Sequence, residues 1–169
     1  NVETFRIYTV TRLLTMYCGI RSIENFHIAG TSAKTLKVYM NSIDVETLVK
    51  KLGKNKLSAY MKVMVQIYRL YDKKSNDKLY FSAKKDFMDN IGLFEQISKF
   101  TVFSFLYSYC VIQLNIRRKF TNEIYDLLTK IITHGAYSKA ANEYMPSMLY
   151  REYVLTALKL KDVAGAEKF

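Results

Sequence analysis

A chain of 169 residues with one proline and six glycines has few places to reverse direction sharply. A many-stranded β fold needs frequent tight turns, and glycine and proline are the residues that make them. The scarcity of both points to long helices joined at few corners. Half of the residues are hydrophobic, with 14 Tyr and 10 Phe. A chain of this size buries roughly 70% of its unfolded surface, so disorder is not expected.

The apolar positions carry the helical period. In the stretch 56–72, Leu57, Tyr60, Met61, Met64, Val65, Tyr68 and Tyr71 form one stripe, while Lys62, Gln66 and Arg69 take the opposite face. Residues 44–53 read as a complete short helix: Asp44 is placed to cap it, Val45, Leu48, Val49 and Leu52 form its apolar side, and Lys50 and Lys51 lie near the negative carboxyl end. Asp77 is expected to cap a helix carrying Tyr80, Ala83, Phe87 and Ile91, separated by Gly92 from a long apolar helix. Ile124, Leu127, Leu128 and Ile131 make another stripe ending at Gly135. Pro146 allows a new start before Tyr150, Tyr153, Val154, Ala157 and Leu158. Near the amino end, Val10, Leu13, Leu14 and Tyr17 precede Gly19, where that helix is expected to stop. The count is roughly eight to ten helices with no strand. The fold class expected is all-α, with short joints that make sequential helices pack as antiparallel hairpins in an irregular solenoid-like array over residues 1–169.

Two joints share a pattern of turn, anchor, two spacers and alanine. In 134–144 a helix ends at Gly135, Tyr137 is expected to open the next, and Ala140 follows three residues later. In 159–169 Asp162 caps, Val163 opens the next helix, and Ala166 again lies three residues on. This pattern resembles the helix-to-helix turn of tetratricopeptide-like repeats, which typically reads Gly-Asp-Tyr, two variable residues and Ala. The chain departs from that family in two ways. The alanines at 140 and 166 are 26 positions apart, where the family repeat is about 34, and no Trp is present to fill the family's first helix. The resemblance implies that Ala140 and Ala166 are buried where paired helices cross closely. Because an array continues or ends in a polar cap, the apolar start at Val163 and Ala166 leads to the expectation that the chain is a segment of a longer helical protein.

Cys18 and Cys110 sit in apolar helical stretches, at neither metal-ligand nor disulfide-framework spacing, and are expected as buried free thiols in a reducing, cytoplasmic setting. The opening residues show no charged-then-apolar leader. The uncharged run 100–116 falls short of the ~20 strongly apolar residues that span a bilayer, so a buried core helix is expected in place of a membrane span.

Chemistry is sparse. The two histidines, His27 and His134, accompany no HExxH, no Cys-x-x-Cys pair and no carboxylate cluster. His134 stands in the last turn of its helix, where a partial positive charge would complement the dipole. Glu143 with Glu152, and Asp86 with Asp89, read as solvated faces. Neither a cofactor, a metal nor an enzymatic activity is expected. The bulk signal is a formal charge of +11, from 26 Lys and Arg against 15 Asp and Glu. The basic residues gather at joints, among them Lys50, Lys51, Lys73, Lys74, Arg117 and Arg118, which on one edge of an array would follow phosphates. Tyr60, Tyr68, Tyr71, Tyr150 and Tyr153 coincide with apolar stripes and are expected in the core more than in a recognition groove. The first functional expectation is therefore a non-enzymatic scaffold that presents a groove to a protein partner, or to flanking helical segments. Its rival is an RNA- or DNA-binding helical array that uses the basic joints.

Overall fold

The computed structural model describes residues 2–25, 38, 42, 44–52, 58–72, 76–116, 120–140 and 143–167. Among them are eight α-helices, one short 3-10 turn and no strand, so the chain is all-helical. Where the sequence suggests one unit, the chain divides into two, Asn1–Leu93 and Phe94–Phe169.

The first unit contains α1 (Val2–Asn25), α2 (Val45–Leu52), α3 (Ala59–Asp72) and α4 (Asp77–Asp89), followed by the 3-10 turn Ile91–Leu93. Helix α3 lies at its centre and packs against both α1 and α4, while α2 packs against α1. Its start is set by Ser58, whose hydroxyl accepts from the backbone N–H of Met61 at 3.2 Å. The expected stripe is buried at Met61, Met64, Val65, Tyr68 and Tyr71, but so are Val63, Ile67 and Leu70. Neighbours on two sides turn a one-faced amphipathic helix into a core helix, and each fully buried large side chain contributes about 1.5–3 kcal/mol relative to exposure. Beyond the first turn, a strip through Lys62, Gln66 and Arg69, at i, i+4 and i+7, reaches solvent.

Two element ends differ from their sequence reading. Helix α1 runs through Gly19 to Asn25; the interior glycine costs about 1 kcal/mol against alanine, and burial of Leu14, Tyr17, Cys18 and Ser22 on either side holds the helix across it. The cap of α4 is Asn76, whose side-chain oxygen accepts from Leu79 N at 3.2 Å, and Asp77 is the first helical residue. At α2 the expected cap holds: Asp44 Oδ1 accepts from Thr47 N at 2.9 Å and Oδ2 from the Thr47 hydroxyl at 2.6 Å.

The second unit contains α5 (Gln96–Ile116), α6 (Thr121–Thr133), α7 (Ser147–Lys159) and the short α8 (Val163–Ala166), each packed on its successor. Helix α5 buries Val102, Phe103, Phe105, Leu106, Tyr109, Cys110 and Gln113. Its other side, including Phe100, Ser104 and Tyr107, is only half-buried, so it is not enclosed all round as its lack of charge suggests. Helix α6 buries the four residues of its expected stripe. It closes at Gly135, where φ is +59° and the N–H groups of Ala136 and Gly135 return to the carbonyls of Ile131 and Ile132. Helix α7 ends in the same pattern, but with a lysine in the left-handed position: Lys161 has φ 61°, and Asp162 N bonds the Ala157 carbonyl at 3.0 Å. Both cysteines are buried, and neither is in a disulfide.

The joint after Gly135 departs from the repeat-like reading. Tyr137 lies in a turn and residues 138–140 form bends, so no helix opens at Tyr137, and Ala140 is exposed instead of buried at a crossing. The Gln96 side-chain amide bonds the carbonyls of Gly135 and Ser138, at 2.5 and 3.1 Å, and holds this segment in a non-helical path. At the later joint Asp162 does cap and Val163 does open α8. Ala166, however, is half-buried, and the close approach falls one residue earlier. A Cβ on Gly165 would stand 2.1 Å from the Tyr125 hydroxyl oxygen.

Candidate functional site

In the first unit the open strip of α3 forms the floor of a groove of about 380 Å³. Val49 and Lys50 of α2 flank it on one side and Asp86 of α4 on the other, with Lys62, Val65, Gln66 and Arg69 between. Arg69 is engaged by Glu46 through two parallel bonds, Nε to Oε1 at 2.9 Å and Nη2 to Oε2 at 3.0 Å. Both side chains of this pair are more than a third exposed, so it is worth about 0–1 kcal/mol, and its main effect is to fix the position of Arg69. Gln66 Nε2 donates to Asp86 Oδ2 at 2.6 Å. That bond sets the orientation of the amide, since only its nitrogen can donate to a carboxylate. The Gln66 Oε1 that remains is out of contact with solvent and accepts no hydrogen bond.

In the second unit α7 turns Tyr153, Thr156 and Ala157 inward and leaves an apolar stripe outside. Met148 is 78% exposed, Leu155 40% and Leu158 49%, and Tyr144, just before the helix, is 98% exposed. The spacing 148, 155, 158 keeps these side chains on one face, which they share with exposed Arg151, Glu152 and Lys159. A separate apolar cleft of about 140 Å³ lies among Phe100, Phe103, Tyr107, Ile131 and Leu149.

The inner side of α7 is tied down by a polar network. Tyr125 of α6 and Tyr153 of α7 stack at 5.3 Å between ring centroids, with their hydroxyls 3.1 Å apart. Tyr125 donates to Asp162 Oδ2 at 2.8 Å, Tyr153 donates to the Gly165 carbonyl at 3.1 Å, and Asp162 Oδ1 accepts from Gly165 N at 2.8 Å. The neighbouring Tyr153 hydroxyl, desolvation and the bond to Asp162 push the Tyr125 hydroxyl well above the usual phenol range. The Gly165 N–H and the Tyr125 hydroxyl hold the Asp162 carboxyl below its ordinary value. These groups satisfy one another, and the network is structural.

Of the basic residues singled out in the sequence, Lys50 and Lys51 are exposed at the end of α2, and Lys50 lines the groove. Lys73, Lys74, Arg117 and Arg118 lie outside the described residues, as does His27. Asp86, read as solvated, is drawn into the groove by Gln66. His134 caps α6, but burial and the neighbouring Lys99 and Lys130 lower its pKa. Its ring therefore favours the neutral form, not the partial charge expected from the helix dipole. The ring stacks with Phe103 at 6.4 Å. Tyr68, Tyr71 and Tyr153 are buried as expected for core residues, Tyr60 is half-buried, and Tyr150 is 39% exposed. No group of three metal-ligating side chains occurs among the described residues. Among the described residues one helical stretch, Gln96–Leu114, is long and apolar enough to cross a membrane, with mean hydropathy 1.3 and 39% of it buried. No protein-family model, curated protein or solved structure matches the chain.

Proposed function

We propose that the chain is a non-enzymatic helical scaffold whose second unit docks a protein partner on the outer face of α7. The observation that carries this reading is the exposure of Met148, Leu155 and Leu158 together on the outer side of a helix that buries Tyr153, Thr156 and Ala157. Leaving several large apolar side chains in water on one face forgoes about 25 cal/mol for each Å² that a partner could cover. Large apolar side chains exposed on one face and interspersed with charge, as these are with Arg151, Glu152 and Lys159, suit an interaction surface. In this reading the sequential helices pack as hairpins in an irregular array, and α5 is a core helix of a cytoplasmic protein.

The test places a photo-crosslinking amino acid at Met148 or Leu155, or at the exposed Lys85 of the other unit as a control, and expresses each variant in the source cells. The expected result is one protein species captured from both α7 positions and not from Lys85. Purified, that species should bind the wild-type chain and fail to bind the double variant Met148→Glu, Leu155→Glu. Capture that is identical from all three positions, or binding unaffected by the two glutamates, rejects the reading.

A further inference from the structure

The positive charge is not shared evenly between the two units. Residues 1–93 carry 16 Lys and Arg against eight Asp and Glu, whereas residues 94–169 carry ten against seven. Within the basic unit, α1 packs on α2 and α3 and buries Val10, Leu14, Tyr17 and Cys18. Its opposite face is open. Phe5 is 69% exposed and Tyr8 57%, and Arg12 and Met16 are exposed beyond them. Steps of three and four residues keep these four side chains on one face along about 16 Å of helix, with exposed Arg6 at its flank. The Arg12 guanidinium lies over the Tyr8 ring, 5.2 Å from its centroid, and its Nε donates to the Tyr8 hydroxyl at 3.0 Å. Neither Arg6 nor Arg12 makes an ion pair among the described residues, so both guanidiniums keep N–H groups to offer an anion.

Arginine alone attracts any anion. The exposed rings beside it select among anions, because a nucleobase has a flat face to lay on an aromatic side chain, whereas a carboxylate or a free phosphate has none. We propose that the outer face of α1 binds single-stranded nucleic acid, with bases stacked on Phe5 and Tyr8 and phosphates held by Arg6 and Arg12. The charge surplus of the unit draws the strand in, and stacking holds it. A duplex suits this face less well, since its bases are already stacked on one another and it presents mainly phosphate and sugar. A membrane surface also suits it less well. An interfacial helix keeps its cations apart from its apolar face, but here Arg12 stands between Tyr8 and Met16, and insertion of those two would carry a charge with them. This inference is independent of the α7 surface, and each can fail without the other.

The experiment measures binding of the 169-residue chain to a fluorescein-labelled oligothymidylate about twelve nucleotides long, by anisotropy over a range of salt concentrations. Four further probes accompany it: an abasic strand of the same length and charge, a duplex, a polyglutamate of equal charge, and anionic phosphatidylserine vesicles. The expected result is saturable binding of the oligothymidylate, about fivefold or more tighter than of the abasic strand. Phe5→Ala and Tyr8→Ala should each weaken it toward the abasic level and leave the abasic affinity itself unchanged. Arg6→Gln should lower the log-log salt slope by about 0.7, as loss of one phosphate contact on a single strand does. Phe81→Ala, at an exposed ring on α4 of the same unit, should change binding by less than about twofold. Because the chain has no Trp, Phe5→Trp places a single reporter on the face, and its fluorescence should be quenched by the oligothymidylate and not by the abasic strand. Phe5 and Tyr8 are exposed, so the variants should keep the wild-type circular dichroism and melting. Equal affinity for the oligothymidylate and the abasic strand, equal losses from Phe5→Ala and Phe81→Ala, or a Trp signal that the oligothymidylate leaves unmoved overturns the proposal. Polyglutamate or duplex bound as tightly as the single strand overturns it as well. Vesicle binding that depends on Phe5 and Tyr8, with no oligothymidylate bound, assigns the face to a membrane surface instead.

Discussion

Tyr125 donates its phenolic hydrogen to Asp162 at 2.8 Å, and so links the middle of α6 to the cap of α8, 37 residues away. Asp162 then serves two partners at once, Tyr125 through one oxygen and the Gly165 N–H through the other. Tyr125→Phe should lower stability by on the order of 1 kcal/mol, the usual net value of such a hydrogen bond. In an Asp162→Ala background the same change should cost measurably less, because its main acceptor is gone. Urea unfolding of the four proteins of this cycle measures the coupling. Strict additivity would show that the contact carries no energy.

The second prediction concerns Gly165. A methyl group there meets the Tyr125 hydroxyl at 2.1 Å and the Asp162 carboxylate oxygen at 2.3 Å, so the network must open to admit it. Gly165→Ala should destabilise by about 1–3 kcal/mol, as overpacking does, although alanine is the better helix former. Ala166→Leu, at a half-buried position, should cost less, and Ala140→Leu, at an exposed bend, should stay within about 0.5 kcal/mol. Thermal melts of the three variants give the order, and a reversal would restore the alanines as the crossing residues.

Stability should fall on acidification for a local reason. The Thr47 hydroxyl and N–H hold the Asp44 carboxyl below its ordinary value of 3.8, and the Gly165 N–H and Tyr125 hydroxyl do the same for Asp162. A carboxylate whose folded pKa is depressed contributes fully above its unfolded pKa, and that contribution is lost as pH falls through the folded value. The loss therefore begins near pH 4 and continues below it. Asp44→Asn and Asp162→Asn should each flatten the stability profile below about pH 4 and leave its shape above pH 5 unchanged. Chemical denaturation between pH 2 and 7 checks this, and a profile unchanged by either substitution contradicts it.

Helix α5 meets the length and apolarity of a membrane span, yet its stretch includes Lys99, and Gln113 is 3% exposed within the helical packing. We expect the chain to remain in the aqueous fraction when floated with neutral or anionic liposomes at physiological salt. Stable recovery with neutral liposomes would assign α5 to the bilayer. Recovery with anionic liposomes alone, reversed by salt, would instead report the net charge.

Much of the fold is legible before any coordinates. The stripes at 61, 64, 65, 68 and 71 and at 124, 127, 128 and 131 are buried as their spacing requires, and Asp44, Gly135 and Asp162 do at helix ends what their side chains, or the lack of one, suit them to do. These are local properties: periodicity, capping and the left-handed preference of glycine act within a turn or two of the chain. The placement of Lys62, Gln66 and Arg69 on one face of α3 was legible for the same reason.

Tertiary contact decided the rest. Nothing within a few residues of Gln66 says that Asp86 will take its amide nitrogen, or that Val49 and Lys50 will flank it, because those groups arrive from other helices. Nor does a local pattern distinguish Gly165 from Ala166 as the close contact, since the deciding atom belongs to Tyr125, 40 positions earlier. The burial of Val63, Ile67 and Leu70, the exposure of Ala140 and the division at Leu93 have the same origin. Apolar spacing selects which face of a helix avoids water, whereas the number of neighbours that cover it, and the polar groups they bring, depend on packing between segments distant in the chain.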